Sequence, residues 1–97
     1  MEKMYVLIRS DLSKSQQAVQ GGHVVAEYII QHGNTSWKNG VLVYLIVPYE
    51  IDLIKAAERL TEKGHKIVSF YEPDINEVTA IAIVTDDEDL FKDVLLL

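Results

Sequence analysis

The chain has 97 residues, a formal net charge of −6 at neutral pH and no cysteine. This length corresponds to one small domain, and the lack of cysteine excludes a disulfide framework and a thiolate zinc site. Hydrophobic residues make up 48% and charged residues 25% of the chain, which is typical of a soluble globular domain. The negative charge opposes binding to nucleic acid through the overall field, so any tRNA contact is expected only through a local patch or a partner.

The same features predict where the chain resides. No apolar run approaches the roughly 18–20 residues that a membrane span needs. The N-terminal segment MEKMYVLIRSD has the pattern of a strand rather than of a signal peptide. Together with the absence of cysteine, this predicts a cytoplasmic protein that does not bind membranes.

Taken in chain order, the elements alternate between strands and helices. Helical spacing predicts a long helix that begins near Lys14 and a second one over residues 50–63. Ser13 followed by Gln16 is a capping-box pattern at the start of the long helix, and Gly33 is a natural C-terminal cap. Apolar runs predict four strands, at residues 4–9, 41–47, 66–71 and 78–84.

The end of the chain and the connections define the expected topology. Thr85 followed by Glu88 repeats the capping-box pattern and predicts a short last helix over residues 86–95. The connection over residues 72–77 is too short for a parallel crossover, so strands three and four are antiparallel if they are neighbours. We therefore expect one α/β domain over residues 1–97, a three-layer sandwich with a four-stranded mixed sheet and helices on both faces.

The long helix carries two adjacent stripes. Small and apolar residues at helical spacing predict its buried face: Ala18, Gly22, Val25, Ala26 and Ile29. A polar stripe runs beside it: Gln16, Gln20, His23 and Glu27. Such a stripe is either the solvated face of an amphipathic helix or one wall of a site. His23 and Glu27 are one turn apart, but the sequence offers no third ligand, so no metal and no other cofactor is expected.

Two consecutive glycines interrupt this helix. Each glycine in a helix costs about 0.5–1 kcal/mol relative to alanine. On the predicted apolar face, Gly22 suggests close approach of the helix to the sheet. Gly21 lies off that face, where a ligand or a subunit is expected to come close.

Polar residues from separate segments are expected at one edge of the sheet. Ligands of open α/β sheets bind beyond the carboxyl ends of the parallel strands. Residues expected at this rim are Arg9, Ser10 and Asp11 after the first strand, Lys14, Ser15 and Gln16 at the helix start, Glu72, Pro73 and Asp74 after the third strand, and Thr79 in the fourth. A plain turn is the alternative interpretation of the Glu-Pro-Asp segment, because Asp-x-Asn is common turn chemistry.

These segments resemble one enzyme family. RSDL, AVQGGH in the helix and the late strand TAIAI resemble the R-x-D-L, G-K-x-A-A-Q-x-x-H-A and T-x-L-A-I-G motifs of type 2 peptidyl-tRNA hydrolases. The resemblance covers roughly residues 4–84, and the AVQGGH match carries most of it. The matching positions are Arg9, Asp11, Leu12, Ala18, Gln20, His23 and Thr79.

The resemblance implies hydrolysis of the ester in peptidyl-tRNA or N-blocked aminoacyl-tRNA. Gln16 stands where the family has its catalytic lysine, and Lys14 is the alternative cation. Asp74 stands for the family's aspartate, with Glu72 as the alternative. On this basis the expected catalytic residues are Asp74, Gln16, His23 and Thr79, and the expected binding residues are Arg9, Asp11, Lys14, Gln20 and Glu72.

Two other hypotheses remain open. A catalytically inactive relative would act as a small-molecule or protein binding module, because a glutamine amide cannot supply the charge of a lysine to an oxyanion. An esterase or amidase for another substrate would use the same rim. The apolar C-terminus over residues 94–97, together with the family resemblance, suggests a homodimer, with folding of these leucines onto the sheet edge as the alternative.

Overall fold

The computed structural model describes residues 1–33, 36–38 and 40–97, which form an α/β fold with a mixed sheet and two α-helices. A 3-10 turn at Glu88–Phe91 precedes the last strand. The other elements, in chain order, are β1 (Lys3–Arg9), α1 (Lys14–His32), β2 (Leu42–Val47), α2 (Glu50–Glu62), β3 (Ile67–Glu72), β4 (Glu77–Thr85) and β5 (Leu95–Leu96).

The five strands form one sheet in the order β3-β4-β1-β2-β5. β1 is parallel to β2 and antiparallel to β4, and β3 is antiparallel to β4. The α/β class, the mixed sheet and the antiparallel pairing of strands three and four are therefore confirmed. The expected count of four strands is wrong, because the chain adds β5 beside β2.

The predicted helix over residues 86–95 is also wrong. Asp87 caps the 3-10 turn, its side chain accepting a hydrogen bond of 3.1 Å from the Asp89 N–H. The turn then places Phe91 in the core, with its ring centroid 4.9 Å from that of Tyr5. Beyond it the chain is extended, and the Leu97 N–H donates to the Tyr44 carbonyl at 3.0 Å. Anchoring Phe91 and pairing with β2 thus replace a last helical turn.

Alternate residues of β1 contribute to two separate hydrophobic clusters. The cluster that contains α1 residues includes Met4, Val6, Ile8, Val24, Tyr28, Val68, Ala80 and Ala82. The cluster that contains α2 residues includes Tyr5, Leu7, Leu45, Leu53, Ala56, Leu60, Ile81, Ile83 and Phe91. This alternation is what a strand produces when apolar side chains are buried on both faces of a sheet.

Local sequence signals define both ends of α1. The Ser13 hydroxyl accepts a hydrogen bond from the Gln16 N–H at 3.2 Å, so the helix begins at Lys14 as predicted. At the other end Gly33 has a φ of 53°, and its N–H bonds to the Ile29 carbonyl at 2.8 Å. Both predicted caps are confirmed.

The predicted buried face of α1 is wrong. Ala18, Gly22, Ala26 and Ile29 are exposed, and Val25 is only partly buried. The buried residues are instead Gln17, Gln20, Gly21, Val24 and Tyr28. The observed face can be buried because Gly21 has no side chain at its close approach to the sheet and because the two buried glutamines find hydrogen-bond partners.

This orientation reverses the expected roles of the two glycines. A Cβ at Gly21 would lie 2.9 Å from Cδ1 of Ile8 and 2.9 Å from ring atoms of Tyr44. A Cβ at Gly22 would meet no atom of the described residues within 4 Å. Gly21 is therefore the residue that lets α1 approach the sheet, and Gly22 faces open space.

Candidate functional site

A cavity of about 360 Å³ lies between the first turns of α1 and the turn that joins β3 to β4. We call it the cleft. Its lining residues are Leu12, Gln16, Val19, Gln20, His23, Glu72, Asp74, Ile75 and Thr79. The structure thus brings together the four residues expected to be catalytic and two of the five expected to bind, from three separate segments of the chain.

Local geometry explains how these segments meet. On α1, Gln16, Val19 and His23 recur three and four residues apart, so their side chains share one edge of the helix. Opposite them, the β3–β4 turn closes through Asn76, whose φ of 55° is a conformation that asparagine tolerates. The Tyr71 hydroxyl donates to Asn76 Oδ1 at 3.0 Å and supports that turn.

A chain of hydrogen bonds crosses the floor of the cleft. Thr79, which is fully buried, donates from Oγ1 to Gln20 Oε1 at 2.8 Å. Gln20, only 3% exposed, donates from Nε2 to Glu72 Oε2 at 3.0 Å and to Gln16 Oε1 at 3.3 Å. Because an ionised carboxylate only accepts hydrogen bonds, the Gln20 amide must point its nitrogen at Glu72 and its oxygen at Thr79.

The Glu72 carboxylate is held at both oxygens. Oε2 accepts from Gln20, and Oε1 accepts from the Asp74 N–H at 3.3 Å. The hydrogen bond from Gln20 lowers the pKa of Glu72, and the Asp74 N–H and the nearby His23 lower it further. Glu72 is therefore a fixed negative charge in the cleft at neutral pH.

His23 and Asp74 present functional groups that the fold itself does not use. The His23 ring packs against Phe70 with centroids 4.7 Å apart and an interplanar angle of 51°. Within the part of the chain that the structure describes, no hydrogen bond or ion pair engages the His23 ring nitrogens or the Asp74 carboxylate. Both groups are available to a ligand or to water in the cleft.

Three residues expected to bind a ligand lie outside the cleft lining. Arg9 donates from Nε and Nη2 to the two carboxylate oxygens of Asp11 at 2.9 and 2.8 Å. Its Nη1 also bonds Glu77 Oε1 at 2.6 Å and the Val78 carbonyl at 3.2 Å. This pairing raises the pKa of Arg9 and lowers the pKa of Asp11. Arg9 thus links the end of β1 to Glu77 and Val78 of β4. Lys14 is exposed at the helix start.

Three apolar residues of the cleft were not predicted from the sequence: Leu12, Val19 and Ile75. Val19 and Ile75 are each 46% exposed. The spacing of Val19 from Gln16 and His23 was a usable signal, since all three share one helix edge. Ile75 carried no such signal, because a single apolar residue in a turn has no periodicity.

A second cavity, of about 330 Å³, lies at the other end of α1. Its lining includes Tyr28, His32, His65 and Lys66. His32 Nε2 is buried there without a hydrogen-bond partner among the described residues. None of the residues expected at the functional rim lines this cavity.

The described ranges 1–33, 36–38 and 40–97 hold neither a metal site nor a membrane span. Within these ranges no group of three or more His, Cys, Asp or Glu side chains has the arrangement of a metal site. Neither of the helices described there has the length and apolar character to span a bilayer.

Comparisons with known proteins identify the fold. No protein-family model matches the chain, and no curated protein matches it. A solved structure of a protein of unknown function from Agrobacterium tumefaciens strain C58 is similar, with a TM-score of 0.72 at 16% sequence identity. The match covers 99% of this chain and 97% of the other. At this identity the chain shares a whole-chain fold with that protein, and the comparison establishes nothing about activity.

Proposed function

We propose that the chain is a divergent relative of type 2 peptidyl-tRNA hydrolases whose cleft binds a small ligand without hydrolysing peptidyl-tRNA. The observation that carries this proposal is the charge of the cleft. Among the described residues, its lining contains two carboxylates, Glu72 and Asp74, and one imidazole, His23, but no lysine or arginine. We further propose that the molecule is a three-layer sandwich in the cytoplasm, with the cleft at one end of the sheet.

The chemistry of ester hydrolysis supports this choice. An enzyme must stabilise the oxyanion that forms at the carbonyl, and a cation or a preorganised donor does this best. At the position of the family's lysine, Gln16 offers a neutral amide whose oxygen is engaged by Gln20. The fixed charge on Glu72 opposes a developing oxyanion, and it also opposes the phosphates of tRNA.

Ester hydrolysis is the second candidate, and one observation favours it. The Asp74 carboxylate and the His23 imidazole both line the cleft, and the fold leaves both groups free to act. In this scheme Asp74 orients the attacking water, His23 accepts its proton and the Gln16 amide donates to the oxyanion. The ester C–O bond then breaks, and His23 returns the proton to the leaving ribose oxygen of the tRNA. Thr79 acts through Gln20 by holding its amide in place.

An N-acetylated aminoacyl-tRNA distinguishes the two candidates. If the cleft only binds a ligand, micromolar protein should release the N-acetyl amino acid from this tRNA no faster than buffer alone does. The Gln16→Lys variant should then gain little hydrolytic activity, since the Glu72 carboxylate remains in the same cleft. If the unaltered protein releases the amino acid and Asp74→Asn abolishes that release, the binding proposal is contradicted and hydrolysis is established. Glu62→Gln, on the exposed side of α2, is the matched control.

We also propose that two copies of the chain associate through the edge of the sheet at β5. Leu95 and Leu96 are each 71% exposed there. Their strand pairs with β2 on one side, and no other described strand pairs with it on the other side. An apolar edge strand of this kind favours pairing with a second strand. Contact with tRNA would need a patch outside the acidic cleft.

A further inference from the structure

We infer that the cleft selects a primary ammonium group carried on a short aliphatic chain, as in a branched alkylamine or the amide of leucine. This inference rests on the proposed function, because it names the class of ligand for the same cleft. It separates the expected ligand from the N-blocked substrates of the resembled family, whose nitrogen carries no charge.

Carboxylates outnumber basic groups in the cleft, because His23 is the one basic side chain among the described lining residues. Glu72 and Asp74 both line it, and the lining contains no lysine or arginine. The guanidinium of Arg9 is bound to Asp11 and Glu77, outside the lining. The ligand that best matches such a cleft brings a positive charge, and a phosphate or carboxylate ligand would be repelled.

The Glu72 carboxylate is oriented before any ligand binds. Gln20 holds one oxygen and the Asp74 N–H holds the other, which leaves each oxygen a further lone pair. Gln20 is itself fixed by the buried hydroxyl of Thr79. A carboxylate that is already oriented loses little freedom on binding, and charge-assisted hydrogen bonds from an ammonium are among the stronger polar contacts.

Aliphatic side chains form the apolar part of the cleft. Val19 on α1 and Ile75 in the β3–β4 turn are each 46% exposed and line it from opposite sides. Leu12 contributes a third aliphatic side chain. A ligand with a branched carbon chain would cover these side chains while its ammonium meets the carboxylates, and about 360 Å³ suits a molecule at the small end of the usual ligand range.

Four probes that share a branched aliphatic chain test the inference by calorimetric titration: leucinamide, isopentylamine, N-acetyl-leucinamide and 4-methylpentanoate. We expect the two amines to bind, and N-acetylation of leucinamide to weaken binding at least about tenfold through loss of a charge-assisted contact. Equal affinity of the two amines would show that the ammonium and its chain suffice. Tighter binding of leucinamide than of isopentylamine would show that the cleft also recognises the amide group of leucinamide. Both results support the inference.

Variants locate the contact. Glu72→Gln and Asp74→Asn are each expected to weaken amine binding about tenfold, whereas Glu62→Gln leaves it unchanged. Circular dichroism checks that each variant is folded. Binding of the acetylated or anionic probe as tightly as the amines would overturn the inference and leave the cleft as a ligand site. Absence of binding by all four probes up to about 10 mM would overturn the inference and count against the proposed function as well.

Discussion

Gly21 and Gly22 are neighbours on α1 with opposite surroundings, and this contrast gives a matched pair of substitutions. In Gly21→Ala the new methyl group would collide with Ile8 and the Tyr44 ring, because atoms of both side chains lie 2.9 Å from where its Cβ would be. Overpacking of this kind costs about 1–3 kcal/mol, which exceeds the gain in helix propensity of about 0.5–1 kcal/mol. We expect Gly21→Ala to lower the free energy of unfolding in urea.

Gly22→Ala is the control, because no atom of the described residues lies within 4 Å of its Cβ position. We expect this substitution to raise the free energy of unfolding by about 0.5–1 kcal/mol, since alanine restricts the unfolded chain and favours a helix. Equal effects of the two substitutions would show that Gly21 does not face the sheet as described.

Asp11 links stability to pH through its contact with Arg9. The pKa of Asp11 is lowered in the folded protein, chiefly by hydrogen bonds from Arg9. The resulting stabilisation is therefore fully present above the unfolded pKa of about 3.9 and is lost as the pH falls through the lower folded value. We expect Asp11→Asn to cost about 1 kcal/mol at neutral pH, after screening by solvent, and less at pH values near 3.

Urea unfolding across this pH range measures the effect, with Asp86→Asn as the control. Asp86 is exposed, and no hydrogen bond or ion pair engages its side chain in the described residues. The free energy of unfolding of the Asp11 variant should vary less with pH than that of the unaltered protein. The Asp86 variant should show the same pH dependence as the unaltered protein. The same pH profile for both variants would contradict the role given to the Arg9–Asp11 pair.

At the scale of elements, the 3-10 turn and β5 depend on one buried side chain. Phe91 is 5% exposed and packs against Tyr5, and the chain reaches the edge of β2 only after this contact. We expect Phe91→Ala to lower the free energy of unfolding by about 3 kcal/mol through loss of burial and the cavity left behind. Ile30→Ala, at a side chain of α1 that is 75% exposed, should change it by less than about 0.5 kcal/mol. Similar small effects in both variants would place Phe91 outside the core.

The elements also show which features a sequence can reveal. The start of α1 was predictable because Ser13 caps the helix through a contact three residues away. The alternative that the C-terminal leucines fold onto the sheet edge is confirmed, since Leu95–Leu96 pairs with β2. That they form a strand was not predictable, because two residues carry no periodicity and their partner lies some fifty residues earlier in the chain. The buried face of α1 was missed because Gln17 and Gln20 are polar. Their burial depends on partners in other segments, such as Glu72 and Thr79 for Gln20.

At the scale of the whole molecule, the exposed edge of the sheet predicts self-association. We expect light scattering to give twice the chain mass for the unaltered protein. The double variant Leu95→Lys with Leu96→Lys should give the mass of one chain, because charge on an edge strand opposes pairing. Removal of residues 94–97 is a second test of the same edge. A single-chain mass for the unaltered protein would contradict the proposed dimer.

The grouping of the candidate residues was predicted better than the packing around them. Gln16, His23, Asp74 and Thr79 line one cleft, because a mixed sheet of this connectivity places the start of α1 and the β3–β4 turn at the same end. The hydrogen-bond partners within the cleft were not predictable, since they depend on side-chain orientations. Arg9 illustrates the limit. It lies at the expected end of β1, but its guanidinium is committed to Asp11 and Glu77.

We propose that this protein binds its ligand in the cleft beside the Thr79–Gln20–Glu72 chain. The most direct test is a titration of the labelled protein with leucinamide, followed by amide chemical shifts in two-dimensional NMR spectra. Binding in the cleft should give saturable shifts concentrated at the Gln16 and Gln20 side-chain amides and at the backbone amides of His23 and Asp74. Shifts that cluster instead around His32 and His65 at the other end of α1, or no shifts at all, would contradict it.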